Sequence, residues 1–411
     1  MSAVYIVGVG MTRFGPDPAS SVKTLTRSAL LEAIGDCGLD ASDIDTAFFS
    51  NAFQPIVEGQ TSVPGQIALR HAGVEGIPIV NVENGCASAS TAFWLAVDQI
   101  RSGASDVALA IGAEKMVFND PARRAKVMAA FDGGLDVETA QETLADLDAE
   151  GAGITGPSGD GHRTKFMDIY AAKCRAHMAN FGTTQRQLAI IASKNHGHAS
   201  LNDRCHYKNP MTVDEVLAGR PLGYPLTVPM CAPLSDGGAA AIVCGERTLD
   251  RIGARSRAVR IDACVLKSAT TRRWGDLDDH LVRRAARDAY SIAGIGPEEV
   301  QVAEVHDAAA FGELFMSEML GICETGGGGH LAESGATALG GRIPINPSGG
   351  LESKGHPIGA TGLGQIFELT TQLRGEAGRR QVEGTRVALQ ENGGGFVGVE
   401  EGATVVTVLS R

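Results

Sequence analysis

Residues 29–51 read ALLEAIGDCGLDASDIDTAFFSN, and residues 285–307 read AARDAYSIAGIGPEEVQVAEVHD. Gly38 answers Gly294, Asp43 answers Glu299 and Asn51 answers Asp307, all at one offset of about 256 positions. In each stretch a helical spacing halts at a glycine, and a short β-rich run follows. The parallel continues further on. The small-residue stretch after Cys86 has its counterpart in GATGLGQIFELTTQLRG, which leads into the strand 386–390. Two similar halves imply a duplication, with a site where they meet.

Outward from these repeats the order is strand, helix, strand, helix. Strands are expected over 4–9, 45–50, 79–82 and 106–112, and helices over 24–37 and 88–101. Such alternation predicts an α/β sheet covered by helices. The run SDGGAAAIVCG, residues 235–245, returns to buried-strand character and closes the first half. Between the halves the composition shifts to LDVETAQETLADLDAE and GAGITGPSGDG, read as an inserted helical lid. The expected division is 1–116 plus 227–256 for the first half, 117–226 for the lid and 257–411 for the second half.

The bulk numbers set limits. With 43% hydrophobic residues in 411, the chain can bury a large core, and 53 glycines against 5% aromatics describe close packing of small side chains. A net charge of −12 argues against a nucleic-acid surface, which needs clustered Lys and Arg. Eight cysteines without a CxxC pair read as reduced thiols of a cytoplasmic protein. The first residues lack a signal-peptide pattern, and no apolar run approaches membrane-spanning length.

Four segments could carry chemistry. In ENGCASAS, Cys86 sits between a strand and a small-residue helix, where the positive end of the helix dipole favours thiolate. A cysteine becomes a nucleophile only with a base at hand, and the duplication places His356 of GGLESKGHPIGATG at the equivalent strand-to-helix switch. EVHDAAAF puts His306 and Asp307 at a strand end. LQENGGGFVG reads as a turn facing Cys86, with glycine N–H groups suited to an oxyanion.

Together, and in this order over nearly the whole chain, these segments resemble the thiolase family; SDGGAAAIV is a further likeness. The His-Asp form of the second block is similar to the sterol-carrier-protein type. The resemblance implies a duplicated five-layer αβαβα fold and a homodimer or dimer of dimers. It implies an acyltransferase with Cys86 as acyl acceptor and His356 as the base that ionises it. His306 would line one oxyanion hole, and the N–H groups of Cys86 and Gly393 would form the other. Acyl-CoA and CoA would be substrates, with no separate cofactor and no metal. Arg163 and Lys165, with His162, are candidate contacts to the CoA phosphates, and Ser235 is a further candidate residue of the CoA site.

One departure matters. Thiolases typically carry a Cys-x-Gly near the C-terminus whose thiol is a general acid and base, and here Glu391-Asn392-Gly393 stands there. The sterol-carrier type can carry a cysteine after His-Asp, where this chain has Ala308. Either Glu391, with a pKa raised by burial, or His306 or a water takes over the proton, or the reaction differs. Thiolytic cleavage of a 3-oxoacyl-CoA leads. The alternatives are a biosynthetic or CoA-independent acyltransferase, or a non-catalytic partner subunit. A small zinc-ribbon/OB-fold partner is a further expectation from subfamily resemblance. The GGGFVG stretch matches a nucleotide fingerprint by letters but leads into a strand, and His196, His198, Cys205 and His206 have metal-like spacing better read as polar surface.

Overall fold

A computed structural model describes residues 3–159 and 163–411; His162 lies outside the described residues. The strands are β1 Val4–Met11, β2 Thr46–Ser50, β3 Ile79–Val82, β4 Val107–Glu114, β5 Gly237–Gly245, β6 Val259–Ser268, β7 Val302–Glu304, β8 Val387–Gly394 and β9 Ala403–Ser410. Their order is β3-β2-β4-β5-β1-β6-β9-β8-β7.

The duplication is visible in the wiring. In the first half β2 is parallel to β4, while β4–β5 and β5–β1 are antiparallel. In the second half β7 is parallel to β8, while β8–β9 and β9–β6 are antiparallel. Even β3 has a trace: Ile345 bridges Ala303 of β7 in the parallel sense, as β3 pairs with β2. The halves join where Tyr5 and Ile6 of β1 meet Arg260 and Val259 of β6.

The repeated letters are backbone punctuation. Gly38 and Gly294 end their helices with φ of 69° and 72°, the left-handed cap that favours glycine. Past each glycine, a carboxylate accepts the N–H three residues earlier: Asp43 from Asp40 and Glu299 from Gly296, both at 2.8 Å. These closures aim the chain into β2 and β7.

Five layers result. The helices Val22–Cys37 and Pro64–Ala72 cover the outer face of the first half, packing Leu30, Ala33 and Leu69 on Leu109 and Ile242. The helices Ser88–Arg101 and Thr361–Arg374 lie between the halves, where Phe93, Leu363 and Leu369 share a core with Ile6, Val243, Ile261 and Val405. The helices Leu281–Ala293 and Ala310–Met319 cover the far side. Strands β4 and β5 are covered on both faces, which is why VALAIGAE and GGAAAIVCG are nearly continuous apolar runs. Glycine sets the spacing where loop meets sheet: a Cβ on Gly112 would stand 1.8 Å from the carbonyl oxygen of Gly359.

Between β4 and β5 come the helices Pro121–Asp132, Ala140–Glu150, Lys165–Phe181 and Gln185–Ala199. Ile169, Leu188 and Ile191 pack against Phe311 and Leu314, so this segment rests on the second half. No helix of the described residues is long and apolar enough to cross a membrane.

One local expectation is corrected. ENGGG was expected to form a turn, yet Glu391–Gly394 are the end of strand β8, with Gly393 opposite Thr404 and Gly394 opposite Ala403. The glycines in this ladder leave room for neighbours that a Cβ would meet: Glu401 at Gly393 and the Cys86 turn at Gly394.

Candidate active site

Cys86 is set by a tight turn after β3. The Ser88 hydroxyl accepts the Asn84 N–H at 2.8 Å and donates to the Gly85 carbonyl at 2.6 Å. Gly85 has φ 55°, and a Cβ there would stand 2.8 Å from the Gly395 nitrogen. A Cβ on Gly394 would stand 2.7 Å from the Cys86 nitrogen. The glycines of the second half are thus what allow its strand end to touch the nucleophile turn of the first.

His356 is held by buried carboxylates. Asp307 accepts the Leu351 N–H at 2.7 Å, and Glu304 accepts the Ser348 N–H at 3.0 Å and the Lys354 ammonium at 3.1 Å. Beyond the histidine, Glu114 accepts N–H groups from Gly359, Ala52 and Phe53 and the side-chain amide of Asn51, at 2.8–3.1 Å. One carboxylate therefore ties the His356 loop to the end of β2, and burial lifts its pKa to about 7.

These anchors bring Cys86 Sγ to 3.2 Å from His356 Nε2. His356 Nδ1 lies 2.6 Å from the Thr361 hydroxyl, which itself donates to the Pro357 carbonyl at 3.1 Å. With that hydroxyl proton committed, Thr361 accepts from Nδ1–H, and Nε2 is left as the acceptor facing the thiol. The His306 ring stands edge-on to that of His356, with centroids 5.2 Å apart. Its buried Nε2 has no hydrogen-bond partner among the described residues. The donor atoms of Cys86, His306 and His356 all lie within 4.8 Å of one another.

The electrostatics correct the expectation of a standing thiolate. Burial first, then the Glu83 carboxylate, pushes the Cys86 thiol up to about 12, against the help of N–H groups from Cys86 and Gly395. Burial also holds His356 well below the usual imidazole range and lowers His306 to about 4. The resting pair is a neutral thiol facing a neutral imidazole. Moving the proton across 3.2 Å creates two opposite charges in contact, so ionisation is coupled to attack.

Glu391 is buried and absent from the lining of the cavities around Cys86. Its oxygens accept the backbone N–H of His306 and the hydroxyl of Thr404, both at 3.0 Å. It positions His306 and does not face the thiol, contrary to the expected turn. Burial raises its pKa to about 8 from an unfolded value of 4.5, so between these pH values the folded state holds a proton that the unfolded state has lost. The contribution is complete below pH 4.5 and falls as pH rises towards 8. Glu391→Gln is expected to track wild type at pH 5 and to have a progressively higher Tm than wild type towards pH 8.5. Thermal melts across that range check it, and a constant difference would contradict the assignment.

Of the expected oxyanion donors, Cys86 N–H is in place, but Gly393 sits within the β8–β9 ladder, and a Cβ on it would meet Glu401 at 2.7 Å. The donor that the structure brings to the thiol is Gly395, two residues on. Arg163 stands at the exposed rim of a cavity that Cys86, His306 and His356 also line, paired with Asp168 and donating to the Gly159 carbonyl at 3.1 Å. Lys165 lies outside that lining, 3.7 Å from Asp132. Ser235 is buried beside it, donating to the Pro233 carbonyl at 3.2 Å, with His206 Nδ1 at 3.0 Å. The metal-like set disperses: His196, His198 and Cys205 each bind a separate carbonyl, of Pro229, Asn346 and Ser348.

The Thiolase N-terminal domain family matches residues 4–216, and the Thiolase C-terminal domain-like family matches residues 264–411. The chain belongs to the thiolase family. Sterol carrier protein 2 of Rattus norvegicus is 36% identical over 98% of this chain and 71% of its own length. Acetyl-CoA acetyltransferase of Methanothermobacter thermautotrophicus is 34% identical over the full length of both. Benzoylsuccinyl-CoA thiolase subunit BbsB of Thauera aromatica is 33% identical over 95% of this chain and 94% of its own. Among solved structures, the Ltp2-ChsH2(DUF35) aldolase superposes with a TM-score of 0.76 at 20% identity, covering 100% of this chain and 98% of that one, which speaks for the fold.

Proposed function

We propose that the chain is an acyltransferase acting on coenzyme A thioesters through a Cys86 acyl-enzyme, in the direction of thiolytic cleavage of a 3-oxoacyl-CoA. The 3.2 Å contact between Cys86 Sγ and the acceptor nitrogen of His356 carries this reading. The thioester has a path to it. A cavity of about 280 Å³ has Cys86, His306 and His356 among its lining, apolar walls that include Met167, Leu222 and Val228, and Arg163 and Arg220 at its exposed rim. Apolar walls with cations at the mouth suit a pantetheine arm carrying phosphates outside.

In the first step Cys86 attacks the 3-oxo carbon and His356 takes the thiol proton. Backbone N–H groups at Cys86 and Gly395 hold the oxyanion. The C2–C3 bond breaks, and the proton that His356 took from Cys86 passes by way of His306 to C2 of the leaving enolate. In the second step the CoA thiol attacks the acyl-enzyme, its proton passing by way of His306 to His356, which reprotonates the departing Cys86. His306 thereby fills the place of the absent cysteine, with Glu391 fixing its backbone.

A homodimer is part of the proposal. Strand β3 is an edge strand with Val80 45% exposed, and Val63 and Ile56 nearby are 51% and 47% exposed. The Thauera relative is named as a subunit, which supports including a small zinc-ribbon/OB-fold partner as an assay arm. Purified chain is expected to cleave 3-oxoacyl-CoA only when CoA is added, in a species of twice 42.7 kDa. No CoA-dependent cleavage with or without that partner would overturn the thiolytic direction, and an active monomer would overturn the dimer.

A further inference from the structure

Cys86 borders two cavities. Besides the one with Arg163 and Arg220 at its rim, a second of about 260 Å³ opens on the other side of the thiol. Phe131 and Phe166 line both and form the partition between them. The second cavity is closed by Phe53, Pro55, Ile56 and Ile358, with Gly85, Gly133, Gly134 and Gly395 leaving its space open. Phe53 meets Phe131 edge-on at 4.9 Å, and Phe131 meets Phe166 at 6.2 Å. Among the described residues the only charged side chain in its lining is that of Glu83, which is exposed at the entrance and accepts the Gly85 N–H at 2.6 Å.

The two cavities are sorted by charge. Cations at the first suit the phosphates of CoA, whereas a carboxylate at the second repels them. A group bound to Cys86 that is not CoA therefore has the second cavity to itself. Faces and edges of three phenylalanines favour an aromatic or compact branched guest, since ring pairs gain from such offset and edge-on contacts. The volume is adequate: an apolar cavity of roughly 150 Å³ already takes up benzene.

We infer that the acyl group carried by Cys86 is uncharged and apolar, aromatic or compactly branched, and sits between Phe53, Phe131 and Phe166. This rests on the acyltransferase reading. In the half-reaction, the Cys86 sulfur bonds to the acyl carbon, the bond from that carbon to the CoA sulfur breaks, and the thiol proton passes through His356 to the departing CoA.

The test measures acylation of Cys86 by intact-protein mass with phenylacetyl-, isovaleryl-, acetyl- and succinyl-CoA as donors. Phenylacetyl- and isovaleryl-CoA are expected to acylate at least about tenfold faster than acetyl-CoA, the scale of a few buried methylenes. Ala52 also lines the second cavity, and Ala52→Leu would fill part of it. That variant is expected to lower the phenylacetyl-to-acetyl ratio by about tenfold. Glu83→Gln is expected to raise the succinyl-to-acetyl ratio several-fold. Acetyl transfer to Cys86 with no preference for the bulky donors, or a ratio indifferent to Ala52→Leu, overturns the inference and leaves the acyltransferase reading standing. Failure of every donor to acylate Cys86 would overturn that reading itself.

Discussion

Cys86→Ala is expected to abolish acyl-enzyme formation and to lower turnover by more than about 10³-fold, the scale for removing a covalent nucleophile. The substitution is structurally mild. Cys86 is 8% exposed in a turn whose geometry is fixed by Ser88 and Gly85, and the backbone N–H groups around it remain. The loss should therefore appear in kcat and not in folding. Cys231, which lines the same cavity of about 280 Å³, is not expected to stand in, because burial pushes its thiol well up and it is not part of the close Cys86–His306–His356 group. Assay of the folded variant against the same 3-oxoacyl-CoA and CoA checks this, and substantial residual turnover would remove Cys86 from the chemistry.

His356→Ala is expected to cut turnover by about 10²- to 10⁴-fold, the usual yield of a positioned base. The dependence should be strong here because the thiol is poor on its own. Burial and the Glu83 carboxylate push its pKa up, so little thiolate is present near neutral pH without a base. Iodoacetamide alkylation of Cys86 near neutral pH should slow in the variant. Wild-type alkylation and turnover should extend to the acid side of pH 6.5, because burial holds His356 below its usual value of 6.5 and keeps it able to accept a proton. An unchanged alkylation rate in a folded His356→Ala protein would show that the backbone N–H groups and the helix terminus suffice.

What could be read from the letters was what is encoded locally or by repetition. The Gly38–Asp43 and Gly294–Glu299 stretches gave away the duplication because each glycine and each carboxylate performs a backbone task within a few residues of itself. Cys86 and His306 stood out because each follows a strand, and His356 because, like Cys86, it precedes a small-residue helix; duplication brings such positions face to face. Thr361 was within reach: it opens the helix five residues after His356, and a hydroxyl there is placed to fix the imidazole tautomer.

Burial was not legible, and most corrections trace to it. The sequence suggests that a helix terminus makes Cys86 a thiolate, but desolvation outweighs the backbone N–H groups that reach the thiol. Glu391 reads as a turn base until β9 pairs with it and Thr404 and His306 engage its oxygens. Lys165 and Ser235, expected at a CoA site, turn their side chains to Asp132 and the Pro233 carbonyl and lie outside the lining of the cavity that Arg163 shares with Cys86. The aromatic partition could not be foreseen, since Phe53, Phe131 and Phe166 come from three distant segments and meet only in the folded chain.

The central claim is that Cys86 carries the acyl group, and peptide mass spectrometry after a brief incubation with an acyl-CoA donor tests it most directly. The account predicts a single acyl adduct, on the peptide containing Cys86, that disappears when CoA is added. An adduct on any other residue, or one on Cys86 that CoA fails to discharge, would contradict it.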